Sequence, residues 1–134
     1  MLRWFIAIVL LAHGIGHTMG VLQVFKVATV NPEWHGDSWL LTGPIGATLT
    51  QAVGVVLWTV ATLGFIAVAA AVVGWLPASW FAPAAIASSV LSLVGILLFP
   101  AAFPTFSTIG AVAVDLVVLA STTLLHWVPS DLAP

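Results

Sequence analysis

Two histidines four residues apart, His13 and His17 in the run His-Gly-Ile-Gly-His, are the clearest candidates for chemistry in this chain. Residues four apart share one face of an α-helix, so both imidazoles are predicted to point the same way. Imidazole binds metals and exchanges protons near neutral pH. The segment around them, residues 1–30, carries only two charged side chains, Arg3 and Lys26. An ionisable group inside such an apolar segment is costly and usually faces a partner, a cavity or a ligand.

Composition places most of the chain in lipid. It has 134 residues, of which 62% are hydrophobic and 4% are charged, and its mean hydropathy is +1.24. A soluble domain carries about 25% charged residues. The net charge of −2 argues against nucleic-acid binding. The absence of cysteine excludes thiolate metal sites and disulfides.

Hydropathy and helix-breaking residues predict four membrane-spanning helices. We expect an all-α, integral membrane four-helix bundle with up-down-up-down topology, because the connections are short. Residues 1–134 form a single transmembrane domain in this prediction, and its helices cover about 2–25, 45–76, 80–99 and 106–128. The first segment has no small-x-small cleavage site, so we expect a retained helix rather than a signal peptide.

Tryptophan and charge give the expected placement in the membrane. Six of the seven tryptophans lie near predicted span ends, as in an aromatic belt, and Trp58 lies within a span. Arg3 and Lys26 flank the first helix, so the positive-inside rule gives only a weak bias. We predict that both termini are cytoplasmic and that residues 30–40 face outward.

Each predicted helix carries polar groups at a similar depth. Counting about 1.5 Å of rise per residue from the loop 30–40 side places them roughly 9 to 18 Å deep. A carboxylate facing lipid would be expensive, so Asp115 is expected to face inward and pair with an imidazole. The sequence therefore predicts an internal polar layer formed by His13, His17, Gln51, Ser89, Ser92 and Asp115.

Several functions suit such a layer. The first is structural, with interhelical hydrogen bonds inside and lipid or a partner protein along the outer surface. The second is a divalent metal site in which His13, His17 and Asp115 are the ligands. Proton or small-solute transport and haem binding are further alternatives. No nucleophile, thiol or pair of carboxylates is evident, so enzymatic activity is not expected.

The chain also resembles a family of small four-helix bacterial membrane proteins that carry loose DoxX-like or permease-like labels. The resemblance rests on Leu11-Ala-His-Gly-Ile-Gly-His-Thr-Met-Gly20, Val53-Gly-Val-Val-Leu-Trp58, Ser89-Val-Leu-Ser-Leu and Ser107-Thr-Ile-Gly110. Asp115 departs from the uncharged polar residue expected at its position. The resemblance implies the bundle architecture and a bacterial membrane, which we expect to be the inner membrane. It implies no particular activity. Separately, we expect membrane lipid as a partner, with a second copy or another membrane protein as further candidates.

Overall fold

Four α-helices and one 3₁₀ turn make up residues 1–129, which are the part of the chain that the computed structural model describes. The helices are α1 (Leu2–Val24), α2 (Thr42–Val73), α3 (Phe81–Leu98) and α4 (Thr105–Thr123), and the 3₁₀ turn is Ala78–Trp80. No β-strand occurs in the described residues, so the all-α prediction is confirmed. Residues 130–134 of the predicted domain lie outside them.

All four helices are long and apolar enough to cross a membrane. This agrees with the predicted integral membrane protein. Between its ends, α4 is the least buried of the four helices and α2 the most buried, so α2 is the central helix of the fold. The predicted four-helix bundle is therefore built around α2.

Each helix packs on its neighbour in the sequence. Helix α1 packs on α2, α2 on α3, and α3 on α4, whereas the backbones of α1 and α4 come close at few points. We call the space between these two helices the α1–α4 seam. Because close packing ends at the seam, side chains rather than backbone contacts must join α1 to α4 there.

Two helix ends differ from the prediction for reasons of backbone conformation. Helix α2 ends at Val73 rather than near residue 76, because Gly74 adopts the left-handed conformation (φ 84°) that commonly stops a helix. Helix α4 ends at Thr123 rather than near residue 128. His126 has a φ of 50°, and the chain there turns so that Trp127 packs edge-to-face on Phe81 with ring centroids 5.2 Å apart.

Helix α2 begins with the helix-breaking sequence Gly-Pro-Ile-Gly at residues 43–46, and the structure forms a kink there. Gly46 has a φ of 78° inside the helix. This non-helical residue separates the first turn, which begins at Thr42, from the rest of the helix. Further along, the Thr50 hydroxyl donates to the Gly46 carbonyl at 2.8 Å, one turn back along the helix. The long apolar stretch after residue 40 is therefore one kinked helix.

Two hydrophobic clusters fill the interior at different levels. One contains Phe65, Val68, Val72 and Phe81 with α1 residues near Leu10. The other is aromatic and contains Trp34, Trp58 and Phe99 with Ala102. The two clusters are separated by about two helical turns along α2 and by about three to four turns along α1 and α3. The polar residues predicted on α1 and α3 lie in these intervening turns.

The loop between α1 and α2 folds back onto the bundle. The Gln23 side chain accepts from the backbone N–H groups of Val30 and Asn31, at 3.0 and 2.9 Å, and donates to the carbonyls of Asn31 and Trp34. Trp34 is consequently 4% exposed and packs edge-to-face on Trp58. Trp34 therefore belongs to the aromatic core, which corrects its predicted place in an interfacial belt.

Candidate functional site

A carboxylate–imidazole pair joins α1 to α4 across the seam. His13 Nε2 lies 3.0 Å from Asp115 Oδ1, and the side chains are 7% and 0% exposed respectively. The Ser92 hydroxyl of α3 donates to the other carboxylate oxygen, Oδ2, at 2.5 Å. Both oxygens of Asp115 therefore have partners, and three helices meet at one carboxylate. The structure brings together these three predicted residues.

His17 lies beside this pair but is incompletely hydrogen-bonded. Its ring meets His13 edge-to-face with centroids 5.0 Å apart, and it stacks on Phe65 at 6.2 Å. The residue is 4% exposed, and its Nε2 has no hydrogen-bond partner within the described residues. An unpaired buried polar atom is costly, so it points to a ligand or water at this position.

A small cavity at the seam meets both imidazoles. Its volume is about 130 Å³, which is room for about four water molecules at about 30 Å³ each. Helices α1 and α4 and the segment before α4 provide most of its walls, and the lining residues are His13, Gly16, His17, Ile96, Phe103, Ser107, Thr108 and Ala111. Since Ser107 is exposed, the cavity extends from the bundle surface to the histidines.

The remaining two predicted members of the polar layer are placed differently. Ser89 is fully buried, and its hydroxyl has no hydrogen-bond partner in residues 1–129. Gln51 does not reach the Asp115 cluster. Its side chain packs against Gly36 of the α1–α2 loop and lines a separate cavity at the membrane interface. Gln51 therefore lies outside the predicted layer, because the α1–α2 loop folds back against its side chain.

Glycine spacing in helix α1 explains how the histidines reach the bundle interior. A Cβ on Gly14 would lie 2.8 Å from Phe65 Cβ, and a Cβ on Gly20 would lie 2.7 Å from the Trp58 ring. No atom of a neighbour lies within 4 Å of a Cβ built on Gly16. Gly14 and Gly20, and not Gly16, therefore permit the close packing of α1 on α2.

Sequence reasoning missed one residue of this packing contact. The Thr62 hydroxyl of α2 donates to the Gly14 carbonyl at 2.9 Å, so the centre of the His-Gly-Ile-Gly-His run is tied to α2. A lone threonine in an apolar helix gives no signal of its partner. It could have been suspected only because a glycine on the opposing helix leaves the backbone carbonyl accessible.

The arrangement does not assemble the expected metal site. No group of three or more His, Cys, Asp or Glu side chains in the described range could hold a metal ion. His13 Nε2 is directed to Asp115 rather than toward a common point with His17. The seam cavity is also much smaller than a porphyrin, so a haem does not fit between these helices as they stand.

The hydrogen-bond order also differs from that of a serine nucleophile. In a Ser–His–Asp triad the serine bonds to the imidazole, which removes its proton. Here Ser92 donates to the carboxylate instead, and the carboxylate separates it from His13. The cluster therefore does not activate Ser92 as a nucleophile.

Comparison with models of known protein families, with curated proteins and with solved structures finds no match to this chain. The DoxX-like resemblance accordingly stays a prediction. The fold and the site define a class of protein: four apolar helices that can span a membrane, with an acid–imidazole pair inside the bundle.

Proposed function

We propose that this integral membrane protein binds and relays protons at a site formed by His13, His17 and Asp115. The observation that carries the proposal is the buried Nε2 of His17, which has no hydrogen-bond partner in residues 1–129 and lies beside the seam cavity. His13 borders the same cavity and contacts Asp115. A proton that enters the cavity meets two imidazoles, and a buried carboxylate lies directly behind them.

A purely structural role is the main competing function. Interhelical hydrogen bonds in membranes contribute about 0.6 kcal/mol on average, and a structural cluster is expected to be closed and fully hydrogen-bonded. The Asp115 pair meets this description, but His17 does not, and a cavity adjoins it. The structural contribution of Asp115 therefore coexists with a site that has capacity for a further hydrogen-bonding group.

The same chemistry covers proton uptake and small-solute binding. A cavity of about 130 Å³ admits water, hydronium or a solute of a few heavy atoms. The seam cavity reaches the surface near Ser107, on the side of the α1–α2 loop. Transport across the whole bilayer would then need a second copy or another membrane protein to supply the other half of the path.

We further propose a bacterial inner-membrane location with both termini cytoplasmic.

Infrared difference spectroscopy tests the proton site directly. Asp115 is the only carboxyl residue in helices α1 to α4, which simplifies assignment. Spectra of the purified protein are compared between about pH 3 and pH 8, a range that spans the ordinary pKa values of both carboxyl and imidazole groups. We expect imidazole and carboxyl bands that change together, and we expect Asp115→Asn and His17→Gln to alter both.

His126→Asn is the matched control, because it removes a histidine outside the cluster and asparagine tolerates the left-handed backbone found there. It should leave the cluster bands unchanged. Spectra that are the same in wild type and both cluster variants would refute proton binding at this site. Proteoliposomes containing a pH-sensitive dye then distinguish transfer across the membrane, which gives flux, from uptake alone.

A further inference from the structure

A second cavity lies at the membrane interface, at the end of the bundle that carries the α1–α2 loop. Its volume is about 520 Å³, and its walls come from the end of α1, the loop and α2. Among its lining side chains, Lys26, Thr29, His35 and Gln51 can donate hydrogen bonds into it. We call it the interfacial cavity. It is distinct from the seam cavity, because the two share no lining residue.

Among the described residues that line the interfacial cavity, Lys26 is positively charged and none is acidic. Lys26 is exposed, and it forms no ion pair within residues 1–129. The acidic residues of the same loop, Glu33 and Asp37, are not among the residues that line the cavity. The Gln51 side chain has no hydrogen-bond partner in the described structure and is free to donate from its amide. Unpaired charge and free donors together favour an anion.

The walls of this cavity are held in place by other contacts. Gln23 makes four hydrogen bonds to the loop backbone, and the Asn31 amide donates to the Ala101 carbonyl at 2.7 Å. Lys26 itself has a φ of 57°, a left-handed conformation that is unfavourable for lysine. The N–H groups of Lys26 and Val27 donate to the carbonyls of Gln23 and Leu22, so this conformation belongs to the C-terminal cap of α1 and fixes the position of the Lys26 backbone beside the cavity.

We propose that the interfacial cavity binds a phosphate-type anion, with Lys26 supplying the charge and Gln51, Thr29 and His35 supplying hydrogen bonds. Two sources carry this chemistry: the headgroup of an anionic phospholipid and a free phosphate. The cavity follows directly after the membrane-spanning part of α1, where lipid headgroups are found. This site does not depend on the proton site proposed above.

The test measures thermal stability of the full-length protein with defined probes. The purified protein in nonionic detergent is titrated separately with phosphatidylglycerol, with phosphatidylcholine and with inorganic phosphate. Binding to the folded state raises the melting temperature. If only phosphatidylglycerol raises the melting temperature, the ligand is a lipid headgroup. If inorganic phosphate raises the melting temperature as well, the site also binds free phosphate. Either result supports the phosphate site if it depends on Lys26.

Three variants decide that dependence. Lys26→Asn removes the charge while keeping a residue that tolerates the left-handed backbone, and Gln51→Leu removes the amide without touching the charge. We expect Lys26→Asn to weaken binding about fivefold, which corresponds to about 1 kcal/mol for one basic residue near an anionic headgroup. Glu33→Gln is the control for the loop's overall charge, and it should not weaken binding.

Two results would overturn the proposal. The first is no rise in melting temperature with either phosphatidylglycerol or inorganic phosphate for the wild type. The second is an equal rise in wild type, Lys26→Asn and Gln51→Leu, which would show that the anion binds elsewhere. Gln51→Leu also protects the test, because it remains informative if Lys26→Asn disturbs the loop.

Discussion

The two glycines inside the histidine motif should respond in opposite ways to alanine. Gly14 faces α2, where an added Cβ would lie 2.8 Å from Phe65 Cβ and 3.3 Å from the Thr62 carbonyl oxygen. Neither atom can swing aside like the end of a long side chain, so α1 and α2 must separate. Gly16 faces the seam, where an added Cβ meets no neighbouring atom within 4 Å.

The magnitudes follow from these contacts. Overpacking a well-packed core costs about 1–3 kcal/mol. Replacing glycine by alanine inside a helix returns about 0.5–1 kcal/mol in either variant. Gly16→Ala should therefore stabilise the protein by about 0.5–1 kcal/mol. Gly14→Ala should be less stable than Gly16→Ala by the overpacking cost, about 1–3 kcal/mol.

The assay is equilibrium unfolding in mixed micelles, followed by tryptophan fluorescence. Trp58 lies in the core beside Gly20, so loss of α1–α2 packing changes its surroundings. The pair of variants is internally controlled, because both change the same residue type in the same helix. Equal unfolding free energies for the two variants would refute the assignment of Gly14 as the close-packing glycine.

Two further predictions concern Asp115 and Gly36. Asp115→Ala should lower the free energy of unfolding by about 1–3 kcal/mol, because it removes two interhelical hydrogen bonds worth about 0.6 and at most about 1.7 kcal/mol each. Asp115→Asn can keep both hydrogen bonds, so its free energy of unfolding should stay close to that of the wild type. Equal losses of unfolding free energy in the two variants would contradict this. Gly36→Ala should cost about 1–2 kcal/mol, since its φ of 89° disfavours a side chain. The new Cβ would also lie 2.9 Å from Gln51 Cδ, so binding at the interfacial cavity should weaken. If Gly36→Ala has the same melting temperature as the wild type, both with and without phosphatidylglycerol, that result would count against the contact.

The sequence was sufficient to predict the helices and the central pair of the site. Apolar length and the lack of charge determine the four spans, and the cost of a lipid-facing carboxylate places Asp115 inside. A similar predicted depth in the membrane then places His13, Ser92 and Asp115 in one layer, and these three side chains are in contact in the structure. These inferences succeed because each depends on solvation or on helical rise, which are properties of single helices.

Predictions that depended on backbone conformation or on contacts between elements were less successful. Helix α4 ends at Thr123 and the chain then turns through a left-handed His126, neither of which hydropathy signals. Trp34 resembles an interfacial residue in the sequence, yet the loop that Gln23 holds carries it into the core. The position of Gln51 depends on the fold of the same loop. In each case a contact between distant residues decides the result.

Because α1 and α4 are not closely packed, the acid–imidazole pair both links these two helices and forms the proposed proton-binding site. Helices α1 and α4 lack close backbone packing, so the contact of His13 with Asp115 is the polar link between them in the described residues. A change of charge on this pair therefore alters the interaction that holds α4 against α1. Because α4 is the least buried helix, its position has the least packing to oppose such a change. Proton binding at the site and the width of the seam cavity are thus expected to be coupled, since the same two side chains determine both.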